Sequence, residues 1–243
     1  MTKLTLYHGT DTDNLDNILT NGIVPRGTSK GNWVHADLYS NNKLIYLTDT
    51  YAWYYSINQA NEDNENCTVL QVEVDTDKLY CDEDLFMQAS NEIKKEVFDE
   101  IVRLEKLKGN KIKTYWKKFR NWEPKKQHQF YSDYILHFQH LWKDSLSNLG
   151  TVGHLGIIKP EQIKKYDTQP IKDIFLSHDN SVTIQNHRIR GPYLKAELKS
   201  WFDEPLDEND KNAIQRNLHE HQMRCQAHKE LTGKTVLQTL KKD

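Results

Sequence analysis

Apolar and polar positions alternate through Leu4-Thr5-Leu6-Tyr7-His8, which predicts a short strand with Leu4 and Leu6 on one face. A helical period follows. Leu15, Ile18 and Leu19 share one side, Asp13 stands where an N-cap oxygen belongs, and Gly22 stands where the helix should stop. Pro25 comes soon after that stop, and residues 23–29 carry loop chemistry. Lys43 to Thr48 reads as the next strand, residues 50–60 as a helix rich in aromatics, and residues 61–66 as a polar turn. Thr68 to Asp75 alternates again, with Leu70, Val72 and Val74 on one face.

The pattern changes at about Asp82. From there to Leu146 it is helical and charged. Gly150 to Ile158 returns to strand, and Pro160 opens a short helical turn at the N1 position it prefers. Residues 174–176 and 182–185 suggest a hairpin around Asp179-Asn180, and the chain from about Tyr193 onward is helical and polar. There is no internal repeat and no low-complexity linker. The expected architecture is an α+β core, residues 1–170, split by a helical insertion at about 82–146. A hairpin and a helical extension follow over 171–243.

Composition refines this picture. Mean hydropathy is -0.83, low for a packed domain, but 6 Trp, 12 Tyr and 7 Phe among 243 residues supply the burial that aliphatic residues lack. The net charge of -2 excludes a uniformly basic nucleic-acid coat and a strongly acidic tail. No run approaches the roughly 18 apolar residues of a membrane span. The first five residues lack a signal-peptide apolar core, and the three cysteines (Cys67, Cys81, Cys225) are odd in number and far apart. A cytoplasmic protein with neither a disulfide framework nor a membrane partner is expected.

Two fragments could carry chemistry. His8-Gly9-Thr10 closes the first strand with a glycine, which permits a close backbone approach by a ligand or simply makes a turn. Tyr51, Tyr54 and Tyr55 are spaced i, i+3, i+4 on one helix face, either at a site or as an aromatic core stripe. Taken in order, His8-Gly9-Thr10, Ile45-Tyr46-Leu47-Thr48-Asp49 and Ala52-Trp53-Tyr54 resemble the ADP-ribosyltransferase superfamily. The resemblance is to its His-Tyr-acid branch, which includes poly-ADP-ribose polymerases and diphtheria-type toxins, and bacterial and phage members share the pattern. It covers about the first 80 residues well and residues 145–166 loosely. It implies a split β-sheet core and NAD as cosubstrate. It also implies that Gly9 clamps the nicotinamide amide through its backbone and that Thr10 completes that strand motif. Tyr46 and Tyr54 would sandwich the nicotinamide ring, with Tyr51 beside them, and His8 would hydrogen-bond a ribose hydroxyl. Arg26, in the loop after the first helix, could meet the diphosphate or stand as an ordinary exposed cation.

The family's third signature residue is an acid just before a late strand. Here the corresponding stretch is Ser147-Asn148-Leu149-Gly150, without a carboxylate. Asn148 is the nearest side chain able to bond a ribose hydroxyl, and Glu161 the nearest acid downstream. A missing acid argues against polymer synthesis. It leaves mono-ADP-ribosylation, by a toxin or defence effector with an antitoxin or regulatory protein as partner. It also leaves an RNA 2'-phosphotransferase-like activity, or a binding module that has lost catalysis.

From Lys106 to His128 there are nine Lys/Arg against one acid, Glu123, interleaved with Tyr115, Trp116, Phe119 and Trp122. Cations for phosphates and rings for bases compose a single-strand surface, with Lys113, Trp116, Lys117, Lys118, Arg120 and Trp122 as its candidates. An amphipathic helix that buries those rings and solvates its lysines fits the same pattern. RNA, ahead of DNA, is therefore the expected acceptor. His221, Cys225 and His228 share a helix face but lack a fourth ligand at matching spacing, so no metal site is expected.

Overall fold

The computed structural model describes residues 2–27, 40–60, 65–88, 91–171 and 187–233. The fold is α+β. Six strands form one antiparallel sheet: β1 (Lys3–Asp11), β2 (Leu44–Thr48), β3 (Asn66–Asp75), β4 (Leu79–Tyr80), β5 (Thr151–Leu155) and β6 (Ile163–Pro170), in the order β4-β5-β2-β1-β3-β6. Helices α1 (Leu15–Asn21) and α2 (Ala52–Gln59) belong to the first third of the chain. The insertion supplies α3 (Asp84–Gln88), α4 (Asn91–Leu104), α5 (Asn110–Arg120), α6 (Pro124–Tyr134) and α7 (Trp142–Leu149). Helices α8 (His187–Trp201) and α9 (Glu208–Thr232) follow. The chain divides into two compact units, residues 1–187 and 188–243. No helix among the described residues is long and apolar enough to cross a membrane.

The sheet has a weak seam. β1 pairs with β3 along its whole length, from Lys3 opposite Asp75 to Asp11 opposite Cys67, but with β2 only where Tyr7 faces Thr48. The half-sheets β4-β5-β2 and β1-β3-β6 are therefore joined at one residue pair. One face of the sheet packs Leu6, Ile45, Leu47, Val72 and Val152 against Ile18 of α1 and Trp142 and Leu146 of α7. On the other face, Leu44 packs with Phe86, Ile101, Phe119 and Phe138 of the insertion.

Two glycines are set by close approach. Gly22 ends α1 at φ +83, and a Cβ there would stand 2.3 Å from the Ile158 carbonyl oxygen. That contact lets Ile23 and Ile158 bridge reciprocally, with N···O distances of 2.8 and 3.0 Å. A Cβ on Gly9 would stand 2.3 Å from Ala52 O and 2.5 Å from Ser56 N. Gly9 is therefore a mid-strand residue against which the backbone of α2 is seated. The turn expected there gives way to a strand running to Asp11, whose side chain, rather than that of Asp13, caps the following turn.

β6 has no counterpart in the periodicity. It is an edge strand carrying Lys164, Lys165 and Tyr166 exposed, so its sequence lacks an apolar face. The expected hairpin over 174–185 lies outside the described residues. In the second unit, α9 starts with a reciprocal capping box between Asp207 and Asp210, and Lys199 of α8 bonds the Asp210 carboxylate at 2.6 Å.

Candidate active site

The site is built around the seam. Thr48, the last residue of β2, accepts from the backbone N–H groups of Thr50 (3.0 Å) and Tyr51 (2.9 Å) and donates to the Gly150 carbonyl (2.6 Å). One hydroxyl thus starts α2 and pins β2 to the turn before β5. Ser56 Oγ, buried on α2, lies 2.8 Å from the carbonyl oxygens of both Thr10 and Thr68, which locks α2 over β1 and β3. Small residues at Gly9, Ala52 and Ser56 allow that approach.

His8 bridges the seam. Its Nδ1 is 3.0 Å from the Tyr46 carbonyl oxygen. A carbonyl only accepts, so Nδ1 carries the proton and Nε2 is left as an acceptor. Burial lowers the pKa of His8, with the Tyr46 carbonyl opposing, so the ring is neutral at neutral pH. His8 shares the β1 face of Leu4 and Leu6, whereas Tyr46 packs with Leu44 toward the insertion. The structure brings His8 and Tyr46 together through the Tyr46 main chain.

The Tyr46 side chain meets a carboxylate that the sequence motifs do not mark. Its hydroxyl donates to Glu83, at 2.6 Å from Oε1 and 2.5 Å from Oε2. Glu83 is 1% exposed and also accepts from the Asn41 N–H at 2.6 Å. The Asn41 amide donates on to the Ser132 carbonyl of α6 at 2.8 Å. Burial, then the Tyr46 hydroxyl and other donors in the opposite sense, leaves the Glu83 pKa raised. Asp82, held by Ser145 Oγ at its backbone N–H, is pushed up to about 8 by burial and by the charges of Asp84 and Glu83. His128 Nε2 of α6 is 3.2 Å from Asp84 Oδ1. Burial depresses that imidazole, and Asp84, Glu83 and Asp82 more than offset it, so its pKa is raised. The Tyr46 hydroxyl is pushed well above its ordinary value, first by burial and then by Glu83 and Asp82.

The tyrosines of α2 divide. Tyr51 is buried, and Tyr55 makes edge contacts with Tyr51 (6.4 Å) and Tyr54 (5.6 Å). Tyr55 is raised well above its usual pKa by burial and then by Asp82 and Asp84. Other expected residues are placed as follows. Thr10 is buried in the sheet. Arg26 is half-buried and donates to the Ser40 carbonyl at 2.8 Å, bracing the segment before β2. Asn148 is exposed on α7 and donates to Asp144 O of its own helix at 2.7 Å. A side chain in the last turn of an exposed helix face satisfies itself locally in this way. Glu161 is exposed beside Lys159.

In the insertion, Lys113, Lys117, Lys118 and Arg120 are exposed, and Trp116 and Trp122 are half-buried. Trp122 packs on Tyr115, Phe119 and Phe130 with the Lys126 ammonium 4.5 Å from its ring centroid, so it belongs to the core of the insertion and is not an open stacking platform. Among the described residues no group of His, Cys, Asp and Glu could hold a metal ion. The side chains of His221, Cys225 and His228 lie outside the description. Compared with protein-family models and with curated sequences, the chain matches none.

Proposed function

We propose that the protein is an NAD-dependent mono-ADP-ribosyltransferase acting on a macromolecular acceptor, with nucleic acid favoured over protein. The observation that carries this reading is the His8–Tyr46 bond across a sheet seam otherwise closed at a single residue pair, beside the tyrosine-bearing start of α2. A neutral His8 with Nε2 as acceptor suits a ribose hydroxyl. Tyr46 and the tyrosines of α2 supply rings for the nicotinamide. Glu83, through its bonds to the Tyr46 hydroxyl, acts as a positioning residue that fixes the plane of that ring.

In the proposed reaction the ribose–nicotinamide bond breaks and its electron pair leaves with neutral nicotinamide. The acceptor's nucleophile then closes on the ribose carbon and gives up its proton. Rate comes from holding the dinucleotide and acceptor in place, rather than from a strong base. The basic run from Lys106 to His128 favours a polyanionic acceptor.

The test is to incubate the full chain with NAD and a mixture of RNA, DNA and protein, then analyse every fraction by mass spectrometry. The expected product is nucleic acid carrying ADP-ribose, with free nicotinamide in solution. Label on protein alone would move the acceptor class. A cyclic phosphate by-product formed only from 2'-phosphorylated RNA would identify a phosphotransferase instead.

A further inference from the structure

The insertion forms an open cleft of about 730 Å³ between α3, α4, α5 and α6. That volume lies within the range of about 300–1,000 Å³ typical of ligand sites. Its apolar surface comes from Phe86, Phe98, Trp116, Phe119 and Tyr131. These rings hold one another. Phe98 meets Trp116 edge-on at 4.4 Å, Trp116 stacks on Phe119 at 5.8 Å, and Phe86 lies 4.8 Å from Tyr131. Phe86, Phe119 and Tyr131 are buried, while Phe98 and Trp116 keep part of their surface open. The floor is thus flat-ringed and preformed, so a ligand would not have to order it.

The rim selects an anion. Lys94, Lys95, Lys113 and Arg120 line the cavity, against Asp99 alone among acids, and Asp99 is paired with Lys95 one turn away. Lys94 and Lys113 have no carboxylate partner among the described residues. The Arg120 guanidinium sits 5.7 Å from the Trp116 ring centroid, so cation and ring are presented together. Gln127 spends its amide N–H groups on the Phe119 (3.2 Å) and Trp122 (3.0 Å) carbonyls, which leaves its carbonyl oxygen as the polar group it can offer. Rings for a flat ligand, cations for phosphate and an acceptor for a base N–H describe a nucleotide unit. Exposed Lys117 and Lys118 continue the charge along α5, which favours a polymer over a free mononucleotide.

We propose that this cavity takes a base of single-stranded nucleic acid, with the flanking phosphates on Lys94, Lys113 and Arg120. The cavity shares α3 and α6 with the acid cluster: Asp84 and His128 bond each other, two residues before Phe86 and one after Gln127. A strand anchored here is held next to the candidate active site. The inference names the acceptor-binding residues of the proposed transferase, but it does not depend on NAD chemistry.

The test is fluorescence anisotropy of fluorescein-labelled oligouridylate with the full chain, without NAD, over a series of salt concentrations. Two variants probe the two halves of the site. Ile112→Trp fills the cavity without changing charge, and Lys94→Glu/Lys113→Glu reverses two rim cations. The parent should bind with a log–log salt slope of about -0.7 per phosphate contact. Ile112→Trp should weaken binding on the order of tenfold or more at an unchanged slope, the value of one lost base stack. Lys94→Glu/Lys113→Glu should weaken binding and flatten the slope. Parent-like binding by Lys94→Glu/Lys113→Glu, or equal affinity for the same length of duplex, would overturn the proposal. The charge-reversal variant decides the matter if Ile112→Trp loses its circular dichroism spectrum. Nicotinamide release from NAD by the parent, measured separately, tests the transferase reading, so that reading and this one can fail independently.

Discussion

The Tyr46 hydroxyl and the Glu83 carboxylate form a buried pair, 2.6 and 2.5 Å from oxygen to oxygen, although 37 residues separate them. A carboxylate 1% exposed is costly unless its oxygens are satisfied, and here Tyr46 and the Asn41 N–H satisfy them. The pair therefore fixes both the tyrosine ring and the start of α3 against β2. Tyr46→Phe should destabilise the protein by about 1–3 kcal/mol, because Glu83 is left short of a donor. Glu83→Gln should also destabilise it, and Tyr46→Phe/Glu83→Gln should cost less than the two singles added together. Urea unfolding of the four proteins measures this coupling, and strict additivity would show that the pair carries no energy.

Gly9 is required by packing. A methyl group there would meet Ala52 O at 2.3 Å and Ser56 N at 2.5 Å, and both are backbone atoms of α2. Gly9→Ala should push α2 off β1, break the Ser56 bonds to Thr10 and Thr68, and cost about 1–3 kcal/mol. Thermal unfolding checks the stability. Loss of NAD cleavage in a variant that remains folded would place the effect at α2.

Asp82 gives a pH dependence of defined sign. Its pKa rises from the ordinary 3.8 to about 8 in the folded protein, mainly through burial and then through Asp84 and Glu83. Below the unfolded value both states hold the proton. Between about 4 and about 8 the native state alone holds it, so stability falls as pH rises through that window and levels off above it. Glu83, also raised, adds in the same direction. Asp82→Asn removes one of the two ionisations, so the melting temperature should fall less between pH 5 and pH 8 than in the parent. At pH 8 the variant should melt above the parent, by about 2–4 °C for each kcal/mol recovered. A parent whose melting temperature rises over that range would contradict the assignment.

Asn148 supplies a contrast. Its amide is bonded to Asp144 O on an exposed helix face, so Asn148→Ala should leave nicotinamide release within about twofold of the parent, a surface-like effect. A large loss would restore this position to the site and remove the positioning role from Glu83.

Much of the sheet is legible in the chain because its strands are half-buried. The Leu4/Leu6 and Leu70/Val72/Val74 faces declare themselves by alternation, and Gly22 marks its helix end by necessity. β6 is not legible, since an edge strand can carry lysines on its open side and pair through its backbone alone. Glu83 is hidden for a different reason. Cys81-Asp82-Glu83-Asp84 reads locally as an acidic helix start, the usual solvated arrangement at an N-terminus. It is buried by groups remote in sequence: Asn41 and Tyr46 from around β2, and Ser132 and His128 from α6. Local pattern marks the strands that carry His8 and Tyr46, whereas tertiary packing selects their partners.

The most direct measurement is nicotinamide release from NAD by the parent, His8→Ala and Tyr46→Ala, each verified as folded by circular dichroism. His8 links the two half-sheets at the proposed ribose site, and its loss removes an oriented contact. The parent should release nicotinamide, and each variant should be slower by on the order of 10²–10³. A parent that leaves NAD intact, or folded His8→Ala and Tyr46→Ala proteins that release nicotinamide at the parental rate, would contradict the proposed function.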